Sequence, residues 1–343
     1  MKSNYITGTL NAGENKVPMV STKIDIFDRL GSVMVRCGIN RSNYRVAPGL
    51  YAAGNPDSSS DVFVTANYKL SFDHLRKNLE GINCWILVLD TKGINVWCAA
   101  GKGTFGTKEL IKRIKEVSLD KMVSHRRVVV PQLGATGVAA HKISEATGFT
   151  VKYGPVRAED ITEYLNMGYR ATKEMRKVTF RFPDRVRLIP NDFVYGKYYL
   201  LGALAVIFLF SAILHGKMAI TNSLGSGFTR MMNVFLAYFA GIVITPALLP
   251  WLPFKRFSLK GFVAGLLVTA ILLFFNLTGD TLIEKISWFL IIPGISSFMA
   301  MNFTGSSTYT SLSGVRKEMK LAVPLQIAGL FTGLLLFVIG LFL

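Results

Sequence analysis

Residues 91–107 read TKGINVWCAAGKGTFGT and place one cysteine, Cys98, beside Trp97 and ahead of two alanines and a glycine-rich run. A lone cysteine is most often a small buried hydrophobe. Cys37 and Cys84 fit that reading, since Cys84 opens an apolar strand. Cys98 does not. It lies just past a strand, near the start of a short helix whose N-terminal dipole favours a thiolate. Lys102, four residues on, adds positive charge one helical turn away. Ala99, Ala100 and Gly101 are small enough to let something wide approach the backbone. The pattern points to a reactive or ligating thiol. The three cysteines fit no disulfide framework and no zinc spacing, and they fall short of the about four thiolates of an iron–sulfur cluster. Free thiols suggest a reducing compartment.

The elements that must position Cys98 alternate. DVFVTANY, CWILVLD, RRVVVPQ and FTVKYGP read as four strands, near-continuous in apolar residues. Helices follow each: SFDHLRKNLE with Ser71 as N-cap, TKELIKRIKEV with Leu110, Ile111 and Ile114 on one face, the run after LGATG, and AEDITEYLNMG. This is an α/β, doubly wound (Rossmann-like) pattern with a parallel sheet covered on both faces. Such a sheet binds ligands at the carboxyl ends of its strands. Residues 65–69, 91–103 and 131–137 converge on that edge. GKGTFG (101–106) spaces its glycines like a dinucleotide turn, but no acidic residue follows at the required distance, and the Walker pattern is missing.

Composition divides the 343 residues in two. The net charge is +18, with the charges crowded into the first 200 residues and an apolar remainder. No basic–aromatic nucleic-acid motif occurs, so no nucleic-acid partner is expected. The expected division is a cytoplasmic domain over 1–190 and a transmembrane domain over 191–343. Five apolar stretches (199–214, 231–250, 261–276, 286–303 and 321–343) have about the length needed to cross a bilayer. Lys and Arg crowd the segment before the first, and recur between the second and third and between the fourth and fifth. By the positive-inside rule this is a multi-pass protein of the cytoplasmic (inner) membrane, soluble domain inside and C-terminus outside. The spans hold essentially no ionisable residue, which favours an anchor over a transporter.

NVWCAAGK, Asn95 to Lys102, resembles the cap-helix motif of the corrinoid proteins that methylate mercury, at all eight positions. VTANYKLSFDHLR (64–76), residues 85–107, VPQLGATGVAAHK (130–142) and GPVRAEDI (154–161) resemble the same family, as does a soluble domain followed by five spans. The resemblance implies a domain like that of the corrinoid iron–sulfur protein of the acetyl-CoA pathway, binding cobalamin between sheet edge and cap helix. Cys98 would be the lower axial ligand of cobalt. Asn95, Val96, Trp97, Ala99 and Ala100 would form the helix that holds it, with Gly101 and Lys102 completing the motif. Thr65, Asn67, Leu133, Gly134 and Gly137 would line the corrinoid site; turn chemistry is the other reading of the glycines, and core packing that of Trp97. The implied reaction is methyl transfer to mercury(II), forming methylmercury. Mercury(II) is an electrophile and needs a methyl carbanion equivalent or a radical, and a thiolate below cobalt would favour carbanion transfer. The implied partners are a ferredoxin-like protein with two four-iron four-sulfur clusters as electron donor and a methyl-tetrahydrofolate-linked methyl donor. The competing expectations are a corrinoid methyl carrier for another acceptor and a membrane metal sensor or transporter.

Overall fold

The computed structural model describes residues 5–12, 15–214, 220–306 and 312–340. The chain forms two compact units, Met1–Val35 with Ile39–Val178, and Arg36–Gly38 with Thr179–Leu343.

The first unit is built on seven strands: β1 (Ile6–Ala12), β2 (Asn15–Val20), β3 (Gly49–Ala53), β4 (Val62–Ala66), β5 (Cys84–Leu89), β6 (Arg127–Val130) and β7 (Thr150–Tyr153). Their order is β1-β2-β3-β5-β4-β6-β7. The four strands expected from alternation are β4 to β7, and they run parallel. The sheet as a whole is mixed, which corrects the expectation of a purely parallel one. β1 pairs antiparallel with β2, and β3 antiparallel with β5. These three strands escape the apolar-run criterion for a physical reason. β1 is largely exposed and polar, and β3, GLYAA, is short and small; each becomes a strand only through pairing.

Helices α1 (Ile26–Arg36), α2 (Lys69–Lys77), α3 (Val96–Lys102), α4 (Thr107–Glu116), α5 (Leu119–Met122), α6 (Ala140–Thr147) and α7 (Ile161–Asn166) complete the unit. Alternate strand residues bury opposite faces. Val64, Leu87 and Val130 pack with Leu110 and Ile114 of α4 and Ile143 of α6. Phe63, Ile86 and Val88 pack with Phe72 and Leu75 of α2 and Tyr164 of α7. Helix α2 starts at Lys69 with Tyr68 as its cap residue, not at the expected Ser71 cap. The Tyr68 carbonyl accepts from the Ser71 and Phe72 N–H groups, so Ser71 already lies in the first turn.

A buried quartet of charges ties α1 to α2. Lys69 Nζ lies 2.6 Å from Asp28 Oδ1 and 2.6 Å from Asp73 Oδ2; Arg76 reaches Asp28 Oδ2 at 2.5 Å and Asp73 Oδ1 at 2.7 Å. The four residues are between 0% and 7% exposed. Arg76 also donates to the Ser21 and Lys23 carbonyls, which fastens the chain leading out of β2.

The second unit comprises α8 (Phe182–Val186), α9 (Ile189–Leu214), α10 (Ile220–Phe239), a π turn (Ala240–Ile244), α11 (Thr245–Ala247), α12 (Phe257–Phe274), α13 (Leu282–Asn302) and α14 (Leu312–Gly340). Among the described residues, five segments are long and apolar enough to cross a membrane, by length and composition: Phe182–Leu209, Gly227–Ala247, Phe257–Phe274, Leu282–Asn302 and Gly314–Gly340. Gly261 and Gly265 of α12 lie against the α13 backbone at Ser296 and Pro293, where a Cβ would not fit. Small residues at such contacts let helix backbones approach closely. The five segments begin earlier than the expected spans and so take in Arg230, Lys260 and Glu284, which the sequence alone places between those spans. Arg230 of α10 pairs with Glu284 of α13 at 3.1 Å, both largely buried, and Lys260 is buried with its ammonium on the Leu249 and Leu252 carbonyls. Pairing and carbonyl capping are what permit such charges among apolar helices.

Candidate functional site

The parallel strands change direction of winding between β4 and β6. β5 lies on one side of β4, while β6 and β7 follow on the other. β4 and β5 pair along five positions, but β4 and β6 pair only at Phe63↔Val129. Beyond that point the two strands part, and a cleft of about 300 Å³ opens between their carboxyl ends. Such a switch point is where an open α/β sheet accommodates a ligand. The cleft floor includes Phe63, Thr65 and Val129, its side includes Leu133, and Asn95, Val96 and Trp97 border it from the start of α3. Of the expected site residues, Thr65, Leu133, Asn95, Val96 and Trp97 therefore meet around one cavity.

Helix α3 has seven residues and an Asn95 cap whose Oδ1 accepts from the Cys98 N–H at 2.9 Å. Val96, Ala99 and Ala100 turn inward and are buried. Trp97, Cys98, Gly101 and Lys102 are exposed. The apolar Val-x-x-Ala-Ala spacing fixes this rotation, leaving the thiol on the outer side of the first turn. Cys98 itself does not line the cleft; the residues immediately before it do.

Three expected lining residues have other duties. Asn67 is 2% exposed, and its amide organises the loop before α3. Its Nδ2 donates to Asp90, and its Oδ1 accepts from Thr91 N–H, Thr91 hydroxyl and Gly93 N–H at 2.9–3.1 Å. The loop needs this support because Lys92 and Gly93 both have positive φ, 58° and 75°. Gly134 and Gly137 serve a close approach of two loops. A Cβ on Gly134 would strike the Phe105 ring, and one on Gly137 would strike the Phe105 carbonyl oxygen and lie 3.2 Å from the Ala100 Cα. Gly137→Ala is accordingly expected to cost about 1–3 kcal/mol, because backbone cannot yield as a side chain can. Denaturant titration of the full chain checks this; a shift below a few tenths of that would mean the loops are not so joined.

Thr91, Asp90, Phe105 and Glu109 belong to the same scaffold and were not singled out from the sequence. Glu109 Oε1 accepts the Asp90 N–H at 2.9 Å. The available signal was a polar pair, Asp90 and Thr91, placed directly after a wholly apolar strand.

Among the described residues, no group of three or more His, Cys, Asp or Glu side chains is arranged to hold a metal ion. One soft donor at Cys98 cannot by itself retain a bare ion. It can complete the coordination of a metal that arrives with its equatorial positions already filled by its own macrocycle. The single exposed soft donor and the adjacent cleft, bordered by Asn95, Val96 and Trp97, fit that kind of group. The cysteines also separate by reactivity. Burial pushes the Cys84 thiol up, and Cys84 is inaccessible, whereas Cys98 is exposed. Alkylation of the folded chain at neutral pH is expected to mark Cys98 and spare Cys84 until denaturant is added. Peptide mass spectrometry reads this directly, and equal marking would contradict the burial of β5.

Residues 19–165 match the family model described as CO dehydrogenase/acetyl-CoA synthase delta subunit. The chain is similar to the acetyl-CoA decarbonylase/synthase complex subunit gamma of Methanopyrus kandleri, 34% identical over 127 residues, which is 36% of this chain and 27% of that one. It is also similar to the corrinoid/iron-sulfur protein large subunit of Moorella thermoacetica, 31% identical over 122 residues, 35% of this chain and 27% of that one. The chain thus spans about a quarter of the length of these curated relatives. It shares a stretch of similarity with a corrinoid/iron-sulfur protein large subunit.

Proposed function

We propose that the sheet unit binds a corrinoid and transfers its methyl group to mercury(II), with Cys98 as the lower axial ligand of cobalt. The observation that carries this reading is the placement of Cys98 on an Asn95-capped turn whose preceding residues border the switch-point cleft. When bound, the corrinoid supplies a cobalt-carried methyl group to the acceptor. The residues of this chain do the rest. Asn95 holds the Cys98 backbone, Val96, Ala99 and Ala100 seat the helix, and the Asn67 network holds the loop before it. Thr65 and Leu133 offer one hydroxyl and one apolar wall to the ligand, and the largely apolar cleft would exclude water from the nucleotide tail. A thiolate is the strongest electron donor among the side chains available there, and it suits an acceptor that takes methyl as a carbanion equivalent.

The chain has three cysteines in all. The reducing electrons would therefore come from a separate protein, a ferredoxin-like partner with two four-iron four-sulfur clusters, and the methyl group from a methyl-tetrahydrofolate-linked donor. A second reading is favoured by the relatives' names, which belong to acetyl-CoA decarbonylase/synthase subunits: a corrinoid methyl carrier for another acceptor. A single-turnover assay separates them. The purified full chain loaded with methylcobalamin should form methylmercury from a mercury(II) salt faster than free methylcobalamin does. Bound corrinoid without that acceleration supports the carrier reading. Failure to bind corrinoid removes both.

The apolar helices would place the protein in the cytoplasmic membrane with the sheet unit inside and the C-terminus outside, since Lys255 and Arg256 lie between the second and third apolar segments and Arg316 and Lys317 at the start of the fifth. A phosphatase reporter fused after Leu343 is expected to be active, and an inactive one would reverse the orientation.

A further inference from the structure

Helix α1 is amphipathic with its faces reversed. Asp28 and Val35 point inward, each 2% exposed, while Ile26, Phe27, Leu30, Val33 and Met34 are 40–60% exposed. These five recur at i, i+1, i+4, i+7 and i+8, a single apolar stripe. Rotating the helix to bury the stripe would pull Asp28 away from Lys69 and Arg76, leaving two buried cations short of a carboxylate. The Asp25 side chain accepts the Asp28 N–H at 2.6 Å, and the Asp28 carboxylate accepts the Asp25 N–H at 3.1 Å, which locks the first turn in the same sense. Electrostatics therefore hold an apolar stripe outward.

We propose that this stripe lies in the interface of an anionic lipid bilayer, making α1 a peripheral anchor for the sheet unit. Two observations favour lipid over a protein partner. Lys23 and Arg29 are exposed at the helix start, where they can meet acidic headgroups. The five apolar helices of the same chain would keep a bilayer at high effective concentration around the rest of it. A basic helix with an apolar stripe and little net hydrophobicity is the form of an interfacial anchor. The proposal rests on the membrane reading of the second unit.

The test is photolabelling of the full chain in vesicles of phosphatidylcholine and phosphatidylglycerol carrying a diazirine-labelled acyl chain. Tryptic peptides 30–36, 261–285 and 143–152 are then compared; the second lies in the apolar unit and the third includes the end of α6 and β7. Peptide 30–36 is expected to carry at least about tenfold more label than 143–152, as an interfacial helix would. Val33→Glu, on the outer face and away from the quartet, should remove most of that label while leaving 261–285 unchanged. Label on 261–285 with 30–36 no higher than 143–152 overturns the proposal, including the case where a second copy or a protein partner covers the stripe. No label on 261–285 defeats the membrane reading, and the proposal with it.

Discussion

Cys98→Ala is expected to lower methyl transfer to mercury(II) by at least about 100-fold, the upper range for disturbing a metal's tuning environment. The fold should survive. Cys98 is exposed, its only role in the structure beyond the helix backbone is its thiol, and alanine is a better helix former. The ultraviolet–visible spectrum of the cobalamin-reconstituted full chain gives a readout independent of turnover. A thiolate-ligated cobalt spectrum should be present in the wild type and absent in the variant. Cys98→His should retain cofactor while transferring methyl to mercury more slowly. Identical spectra for wild type and Cys98→Ala would separate the thiol from cobalt, and undiminished transfer would remove its chemical role.

Asp28→Ala is expected to destabilise the sheet unit by about 3–5 kcal/mol, because it strands Lys69 and Arg76 with one carboxylate between them in a buried site. Both cations also touch Asp73 of the same helix, so two buried cations would share that one carboxylate. The loss should appear as a lower denaturant midpoint with faster proteolysis in 21–36, the stretch that Arg76 and Asp28 hold down. A charge-removing pair, Asp28→Ala with Lys69→Met, should recover part of the loss, since an apolar side chain of similar length replaces the stranded ammonium. If the single variant lost less than about 1 kcal/mol, the quartet would be a solvated surface cluster and not a buried one.

The difference between what could and could not be read beforehand follows from range. β4, β5 and β6 are near-continuous apolar runs bounded by turns, and β7 alternates one buried Val151 with exposed neighbours; local composition alone makes them strands. The five apolar helices are legible on the same ground, each being a long apolar run. Asn95 and Cys98 are also local, since the cap oxygen and the N–H that donates to it sit three residues apart. By contrast, β3 is a strand because it pairs with β5 some thirty-five residues later, and the mixed sheet follows from that pairing. Arg230 and Glu284 look like loop charges until α10 and α13 are packed together.

Composition and short-range pattern were enough for the parallel core, the placement of Cys98 near the start of a short helix, the apolar unit and the resemblance that directs attention to a corrinoid. These depend on neighbours within a few residues or on composition. Only the tertiary structure decided that Asn67 braces the loop before α3, that Gly134 and Gly137 admit Phe105, and that Asp28 turns the stripe of α1 outward. Each depends on partners brought together from distant parts of the chain: the Asn67 amide on Thr91 and Gly93, the glycines on the Phe105 loop, and Asp28 on Lys69 and Arg76. A hydrogen bond or an ion pair acts over about 3 Å in space and is indifferent to separation along the chain.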